Sequence, residues 1–321
     1  MKSDHKIALL DVTLRDGGYV NKHSWTAGQA QQVVRACAAA GVPFTEVGYL
    51  RPARHGAEDD TAPSASCPPR YLEALQAEAS LGVDAGTGTG LVVMAHARDT
   101  GPSDLAGLAR SGVRLVRMPG PPHKIQELAP YAEAVRGAGM RFAVNLTRVS
   151  ELTEKEILGA AEAAQRISAD MFYLADSNGS MFPDGIARIA RQVRNSVSMT
   201  LGFHAHDGLS LGFANALAAM DNDFEYIDAS LCGMGKGGGN LALELIAAHL
   251  YFRRLCDVSV TPLVDAAVSL LTPWKGDQIL SRCESIVSGI LDLNLENLAE
   301  IRSAGEGSTL FSMLDGTRTP C

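Results

Sequence analysis

Hydrophobic and polar positions along this chain switch between two periods. Short apolar runs rich in Val, Leu, Ile or Phe take turns with longer stretches in which apolar residues recur at helical spacing. The first pattern predicts buried strands and the second amphipathic helices. Strands are expected at 7–14, 43–50, 91–96, 113–119, 140–146, 169–176, 199–206 and 225–233. Helices are expected over 26–40, 68–80, 103–111, 124–137, 153–167, 183–196, 210–221 and 241–254, with Gly41 and Gly139 among the residues that end them. The polar, Pro- and Ala-rich segment 51–68 reads as a long loop between a strand and its helix.

Eight strand-then-helix units within about 250 residues predict a closed, parallel (β/α)8 TIM barrel over residues 1–255. A doubly wound open sheet is the competing arrangement. It calls for a GxGxxG turn after the first strand, whereas here that strand runs into TLRDGG. After residue 255 the alternation stops. Helices near 262–271, 276–290 and 295–303 predict a helical C-terminal extension, 256–321.

Composition narrows the function classes. The chain has 321 residues, of which 46% are hydrophobic and 20% charged, as expected of a folded protein. Its 28 Lys and Arg against 36 Asp and Glu give a net charge of -8, which works against a nucleic-acid surface. No apolar stretch reaches the roughly 18 residues of a membrane span. The N-terminal apolar run is too short for a secretory signal, so a cytoplasmic protein is expected. Six scattered cysteines without a CxxC pair suggest reduced thiols rather than a disulfide frame or zinc knuckle.

In a barrel of this kind, the C-terminal ends of the strands build the active site. Those ends carry the chain's polar residues: Asp11, Thr13, Arg15 and Asp16 after the first strand, Glu46 on the second, His96 on the third and Asn145 on the fifth. Asp176 and Ser177 follow the sixth, His204 and His206 the seventh, and the glycine run 233–240 the eighth. In a strand, residues i and i+2 point to one side, so His204 and His206 can close on one ion. Two surface histidines at a strand end are the plainer reading. Asp16 favours the ion, because strand one closes the barrel beside strand eight, and strand seven adjoins eight. Two imidazoles and one carboxylate suit Mn²⁺, Fe²⁺, Co²⁺ or Mg²⁺ better than structural zinc. Arg15 could stabilise an enolate oxygen next to that ion, oriented by Glu46, and could equally hold the mouth together as a salt bridge. The glycine run lacks the features of a Walker loop. It is either a flexible loop or one whose backbone approaches a ligand, with Asn240 as a metal ligand or supporting contact.

Taken together, LLDVTLRDGG at 9–18, EVGY at 46–49, YLADSNGSM at 173–181, GFHAHDGLSLGFANALAA at 202–219 and GMGKGGGNLALE at 233–244 resemble the DRE-TIM metallolyases. That superfamily includes HMG-CoA lyase, 4-hydroxy-2-oxovalerate aldolase and the isopropylmalate and homocitrate synthases. The resemblance implies a divalent metal, Mn²⁺ first, on Asp16, His204 and His206, with Asn240 close by and Arg15 as the enolate-stabilising cation. DSNGSM and HAHDGLSLGFANALAA resemble the 4-hydroxy-2-oxoacid aldolases most. This implies a class II aldolase that acts through the enolate of a 2-oxo acid such as pyruvate, with an aldehyde as the other substrate. His96, Asn145, Asp176 and Ser177 are the expected substrate contacts.

The Claisen-type acyl-CoA synthases are the alternative, but they carry RDGEQ where this chain has RDGGYVNKH. A non-catalytic barrel is a further alternative. The aldolases use a histidine as general acid/base where this chain has Tyr19. Tyr19, His23 or a metal-bound water is therefore the expected proton-transfer group. A Schiff-base mechanism is disfavoured, since none of the seven lysines ends a central strand. The resemblance also implies a homo-oligomer and an acylating aldehyde dehydrogenase docked on the helical tail, where few residues match.

Overall fold

The computed structural model describes residues 6–52, 62–80, 88–275 and 313. Eight parallel strands close into a barrel in chain order, with β1 hydrogen-bonded to β8. The strands are β1 (Ala8–Asp11), β2 (Phe44–Leu50), β3 (Gly90–Ala95), β4 (Val113–Pro119), β5 (Arg141–Leu146), β6 (Met171–Asp176), β7 (Thr200–Ala205) and β8 (Tyr226–Ala229). The helices are α1 (Ala27–Ala40), α2 (Pro69–Ala79), α3 (Pro102–Leu105), α4 (Ala129–Gly137), α5 (Glu154–Arg166), α6 (Pro183–Ser196), α7 (Gly212–Met220), α8 (Leu243–Phe252) and α9 (Thr261–Lys275). The fold is the expected (β/α)8 TIM barrel.

Local chemistry accounts for the helix ends. Thr26 and Gln29 form a reciprocal capping box at the start of α1, and Gly41 ends it in the left-handed region at φ 77°. Thr153 and Glu156 do the same for α5. Two expected helices are broken. The segment 103–111 divides at Gly107 into α3 and a short 3-10 turn, because glycine is a poor helix former. The segment 124–137 begins as a 3-10 stretch, and α4 starts only at Ala129, with Pro130 in its first turn. Proline has no N–H to continue a helix begun upstream.

Two apolar layers stabilise the barrel. Inside the lumen, Leu10, Val12, Phe44, Val92, Leu115, Ala143, Met171 and Tyr173 pack together. Outside, the other faces of the strands meet the apolar sides of the helices in one continuous core. Burial on both faces is why the strands read as near-continuous apolar runs. The first helix of the expected extension, α9, belongs to this core through Leu263, Val264, Ala267 and Leu271. Trp274 on α9 meets Trp25 edge-on at 5.2 Å, and Gln32 on α1 donates to Ser269 Oγ at 2.8 Å. The expected helices at 276–290 and 295–303 lie outside the described residues. Among the described residues, no helix is long and apolar enough to cross a membrane.

Candidate metal centre and active site

The apolar lumen gives way to a polar layer one step closer to the strands' C-terminal ends. Within strands, inward positions alternate, and the positions above Leu115, Ala143 and Met171 are Arg117, Asn145 and Tyr173. Arg117 is wholly buried at the centre of this layer. Its Nη2 donates to Asp228 Oδ2 at 2.6 Å, its Nη1 to Glu46 Oε2 at 3.4 Å and its Nε to Asn145 Oδ1 at 3.1 Å. The guanidinium also stacks 4.1 Å from the Tyr173 ring centroid. Removing these charges from water is costly, and the arrangement holds because each guanidinium edge meets an acceptor. Gly202 on β7 makes room for Tyr173, since a Cβ there would come within 2.2 Å of that ring.

This buried network supports the candidate site above it. Glu46 Oε2 also accepts from Arg15 Nε at 2.7 Å, and Arg15 Nη1 donates to Asp16 Oδ1 at 2.5 Å. Asp228 Oδ2 also lies 2.9 Å from His204 Nδ1. A single chain of contacts thus runs from Arg15 through Glu46, Arg117 and Asp228 to His204. Burial acts against the charge on both Asp228 and Asp16. Arg117 nevertheless holds Asp228, and Arg15 with the two histidines holds Asp16, below the ordinary carboxylate range.

Arg15 and Asp16 sit beyond the strand rather than on it. The first strand stops at Asp11, and the chain turns sharply, with Asp16 N donating to Val12 O at 2.8 Å. Thr13 Oγ1 donates to Asp11 Oδ1 and accepts from Leu231 N at 2.8 Å, tying this turn to the loop after β8. The last strand likewise ends early, at Ala229, before a 3-10 turn at Leu231–Gly233. The glycine run is a tight ring rather than a loose loop. Asn240 N donates to Gly233 O at 2.9 Å, and Gly233 adopts φ 61°. A side chain at Gly233 would press its Cβ to 2.5 Å from Asn240 O.

The ring delivers Asn240 and the His206 side chain to the same place. His206 follows β7 and pairs with Asn240 in an isolated bridge. Asp16, His204 and His206 each offer a ligand atom, and these atoms lie within 4.8 Å of one another. The hydrogen bonding fits a cation there. His206 Nδ1 donates to Gly239 O at 3.2 Å, and His204 Nδ1 donates to the Asp228 carboxylate. In the neutral form of each ring, both Nε2 atoms then carry bare lone pairs, yet they face each other at 3.3 Å. Burial, reinforced by His204, pulls the His206 pKa down to about 4. Two lone pairs so placed repel unless a positive charge lies between them. Asp16 Oδ2 is 4.0 Å from His206 Nε2, and Asn240 Oδ1 is a buried oxygen with no hydrogen-bond partner among the described residues. One carboxylate, two imidazoles and an amide oxygen make a mixed N/O set for a divalent ion.

A cavity of about 270 Å³ opens over this cluster. Tyr19, Tyr49, His96, Asn145 and Ser177 line it with Arg15, Asp16 and the two histidines. Four expected site residues do not line it, among them Asn240, which sits behind the ligand cluster in the glycine ring. The Glu46 side chain lies beneath Arg15 and is fully buried. The Asp176 carboxylate turns into its own loop, accepting from Ser180 N at 3.3 Å and Met181 N at 3.1 Å. It holds the shape of that turn and does not face substrate. His23 packs behind the mouth, its ring 5.4 Å from Tyr19 and its Nδ1 3.0 Å from Ser64 Oγ. Burial and the nearby Arg51 keep the His23 pKa below the usual imidazole value. The Tyr19 hydroxyl lies 2.7 Å from the Tyr49 hydroxyl.

Sequence reasoning missed Arg117, Asp228 and Tyr49. A signal was present for the first two: Asp228 is the lone charge in YIDA, and Arg117 shares the inward register of Leu115 in VRLVRMP, unlike the exposed Arg114. In a strand buried on both faces, a charge at an inward position needs a partner across the lumen.

Residues 121–270 match the HMGL-like family model. That match spans a little under half of the chain and agrees with the resemblance of its motifs to the DRE-TIM metallolyases. The chain is 29% identical over 267 residues to an oxaloacetate decarboxylase of Mycobacterium tuberculosis, covering 81% of this chain and 75% of that one. It is 28% identical over 308 residues to a 4-hydroxy-2-oxovalerate aldolase of Chloroflexus aggregans, covering 93% of this chain and 85% of that one. Among solved structures, the hydroxymethylglutaryl-CoA lyase of Pseudomonas aeruginosa matches with a TM-score of 0.71 at 19% identity, over 89% of this chain and 100% of that one. The carboxyl transferase domain of Rhizobium etli pyruvate carboxylase matches with a TM-score of 0.70 at 14% identity, over 87% of this chain and 48% of that one. These two structural likenesses concern the fold.

Proposed function

We propose that this protein is a divalent-metal-dependent lyase of the aldolase type, which makes or breaks the C3–C4 bond of a 4-hydroxy-2-oxo acid through the enolate of a 2-oxo acid such as pyruvate. The observation that carries the reading is the cluster of Asp16, His204 and His206 with Arg15 bonded to it. The alignment with 4-hydroxy-2-oxovalerate aldolases over nearly the whole chain supports the same chemistry. Asp16, His204, His206 and Asn240 would hold the ion, Mn²⁺ first, with Mg²⁺, Co²⁺ or Fe²⁺ as alternatives. When bound, the ion supplies Lewis acidity toward the keto and carboxylate oxygens of the substrate.

The protein's own groups do the rest. Arg15 Nε and Nη1 are engaged by Glu46 and Asp16, and among the described residues Nη2 has no partner. Nη2 therefore offers its N–H groups to the oxygen on which negative charge grows as the bond breaks. Burial pushes the Tyr49 pKa above that of an ordinary phenol, and in this reading Tyr49 is the donor of the 2.7 Å hydrogen bond between the two hydroxyls. The Tyr19 O–H is then free to exchange its proton with the 4-hydroxyl of the substrate. Asn145, His96 and Ser177 line the walls around the 2-oxo acid.

Loss of CO2 from a 3-carboxy-2-oxo acid leaves the same electron pair next to the same ketone. The similarity to an oxaloacetate decarboxylase makes this a second reading of the site. Localisation in the cytoplasm, assembly as a homo-oligomer and hand-over of the aldehyde to an acylating aldehyde dehydrogenase complete the proposal.

The test is proton exchange. Mn²⁺-loaded protein is incubated with pyruvate or 2-oxobutyrate in deuterated water, and the protons next to the ketone are followed by NMR. Exchange that disappears on chelation or in His204→Ala supports the reading, and its absence with both acids overturns it.

A further inference from the structure

The mouth of the cavity carries more positive charge than a simple 2-oxo acid can use. Besides Arg15, the side chains of Arg51, Arg98, Arg148 and Lys236 line it, and among the described residues Asp16 is the one acidic group in its lining. These four come from four different loops, after β2, β3, β5 and β8, so the charge surrounds the opening. It stands out on a chain whose net charge is -8.

The rim cations are incompletely neutralised. Arg51 and Arg98 share a single carboxylate, Asp99, at 3.6 and 3.5 Å. Arg148 reaches Glu151 only at 3.8 Å, and both side chains are largely exposed. The Lys236 backbone N–H donates to Asp16 Oδ2 at 3.4 Å, while its ammonium has no acid partner among the described residues. Among the described residues, two positive charges are thus left over at the rim, beyond those beside the ion. Arg51 is also held over the Tyr49 ring at 5.2 Å, which fixes its guanidinium next to the candidate proton-transfer pair. The single carboxylate of a 2-oxo acid needs only the ion and Arg15. The rim charge therefore awaits a second anion, and a concave site with walls of one sign concentrates such ligands.

We propose that the other half of the substrate is anionic: the aldehyde added to, or released from, the 2-oxo acid bears a carboxylate or a phosphate, bound by Arg51, Arg98, Arg148 and Lys236. This inference rests on the aldolase reading above and specifies its substrate class. In the condensation direction, C3 of pyruvate loses a proton and bonds to the aldehyde carbon. The aldehyde oxygen takes up a proton to become the 4-hydroxyl, while the second anionic group stays intact at the rim.

The experiment uses the full-length Mn²⁺-loaded protein and compares kcat/KM for pyruvate with three sets of aldehydes. Acetaldehyde and propionaldehyde are neutral, glyoxylate and succinic semialdehyde carry a carboxylate, and glyceraldehyde 3-phosphate carries a phosphate. At least a tenfold preference for a charged aldehyde is expected, and the better of the two charged sets identifies the anion. Arg98→Ala and Lys236→Ala, both at exposed positions, should each lower the charged-to-neutral ratio about tenfold, as for one lost charge-assisted hydrogen bond. Pyruvate exchange in deuterated water is measured in parallel. Exchange together with equal or better use of neutral aldehydes overturns this inference alone. A ratio unmoved by either substitution also overturns it. Absence of exchange overturns the aldolase reading and this inference with it.

Discussion

At the scale of single residues, the candidate site depends on which hydrogen bonds are already taken. Arg15 is held on two edges by Glu46 and Asp16, so its remaining edge is presented in a fixed direction. A lysine would keep the charge but lose the planar fork. Arg15→Lys is therefore expected to bind Mn²⁺ as the parent does and to lose roughly 10²–10³ in kcat, the usual effect of removing an oriented donor. Electron paramagnetic resonance titration of Mn²⁺ beside steady-state kinetics checks both halves. Tyr19→Phe removes the hydroxyl but keeps the ring. A loss of roughly 10²-fold or more in aldol turnover, with pyruvate exchange retained, is expected of an acid/base at the 4-hydroxyl. Unchanged kinetics would reduce Tyr19 to a packing residue. Arg117 acts at one remove. Replacing it with alanine leaves Asp228 buried without its guanidinium and Glu46 with Arg15 alone. A destabilisation of about 3–5 kcal/mol is expected in urea unfolding.

At the scale of elements, several expected boundaries moved, and each for a local reason. The apolar pattern at 7–14 suggests a long first strand, but pairing stops at Asp11 and the following residues form the turn that carries Arg15 and Asp16. Their side-chain types were visible in the sequence, while their departure from the strand was not, because hydrophobic period does not report a backbone turn. The glycine run shows the same limit. Its composition allows a loose loop, but the structure is a closed ring between Gly233 and Asn240. Gly233→Ala forces a Cβ against Asn240 O in a left-handed backbone conformation. The strain alone is expected to cost about 1–2 kcal/mol. The displaced Asn240 should weaken Mn²⁺ binding as well, so a thermal melt and a metal titration together test the ring. Asp176 was expected at the substrate because it ends a strand. Two backbone N–H groups of its own turn capture the carboxylate, a competition that residue type and position do not reveal.

At the scale of the whole molecule, closure of β1 on β8 brings distant segments together and buries groups that would otherwise be solvated. Asp11 is one of these. Burial, only partly offset by its bonds from Thr13, raises its pKa to about 7. A carboxyl whose pKa is higher in the folded state favours folding most when protonated. Its stabilising contribution is complete below the unfolded value near 4 and is lost as pH rises through about 7. Asp11→Asn retains an acceptor for Thr13 without the titration. Relative to this variant, the parent protein should lose melting temperature progressively between pH 4 and pH 8, and a flat difference would contradict the assignment. The barrel itself was legible in the sequence, because strands buried on both faces and helices buried on one leave different hydrophobic periods, and eight such pairs leave little choice of architecture. The candidate ligands and Arg15 were legible as motifs, since their chemistry depends on residue type. The tertiary structure alone decided which buried partner each group meets. Arg117 joins Glu46 to Asp228, the two imidazoles face each other, His23 and Asp176 turn away, and four loops surround the mouth with positive charge. These contacts join residues far apart in the chain, and their geometry exists only once the barrel has closed.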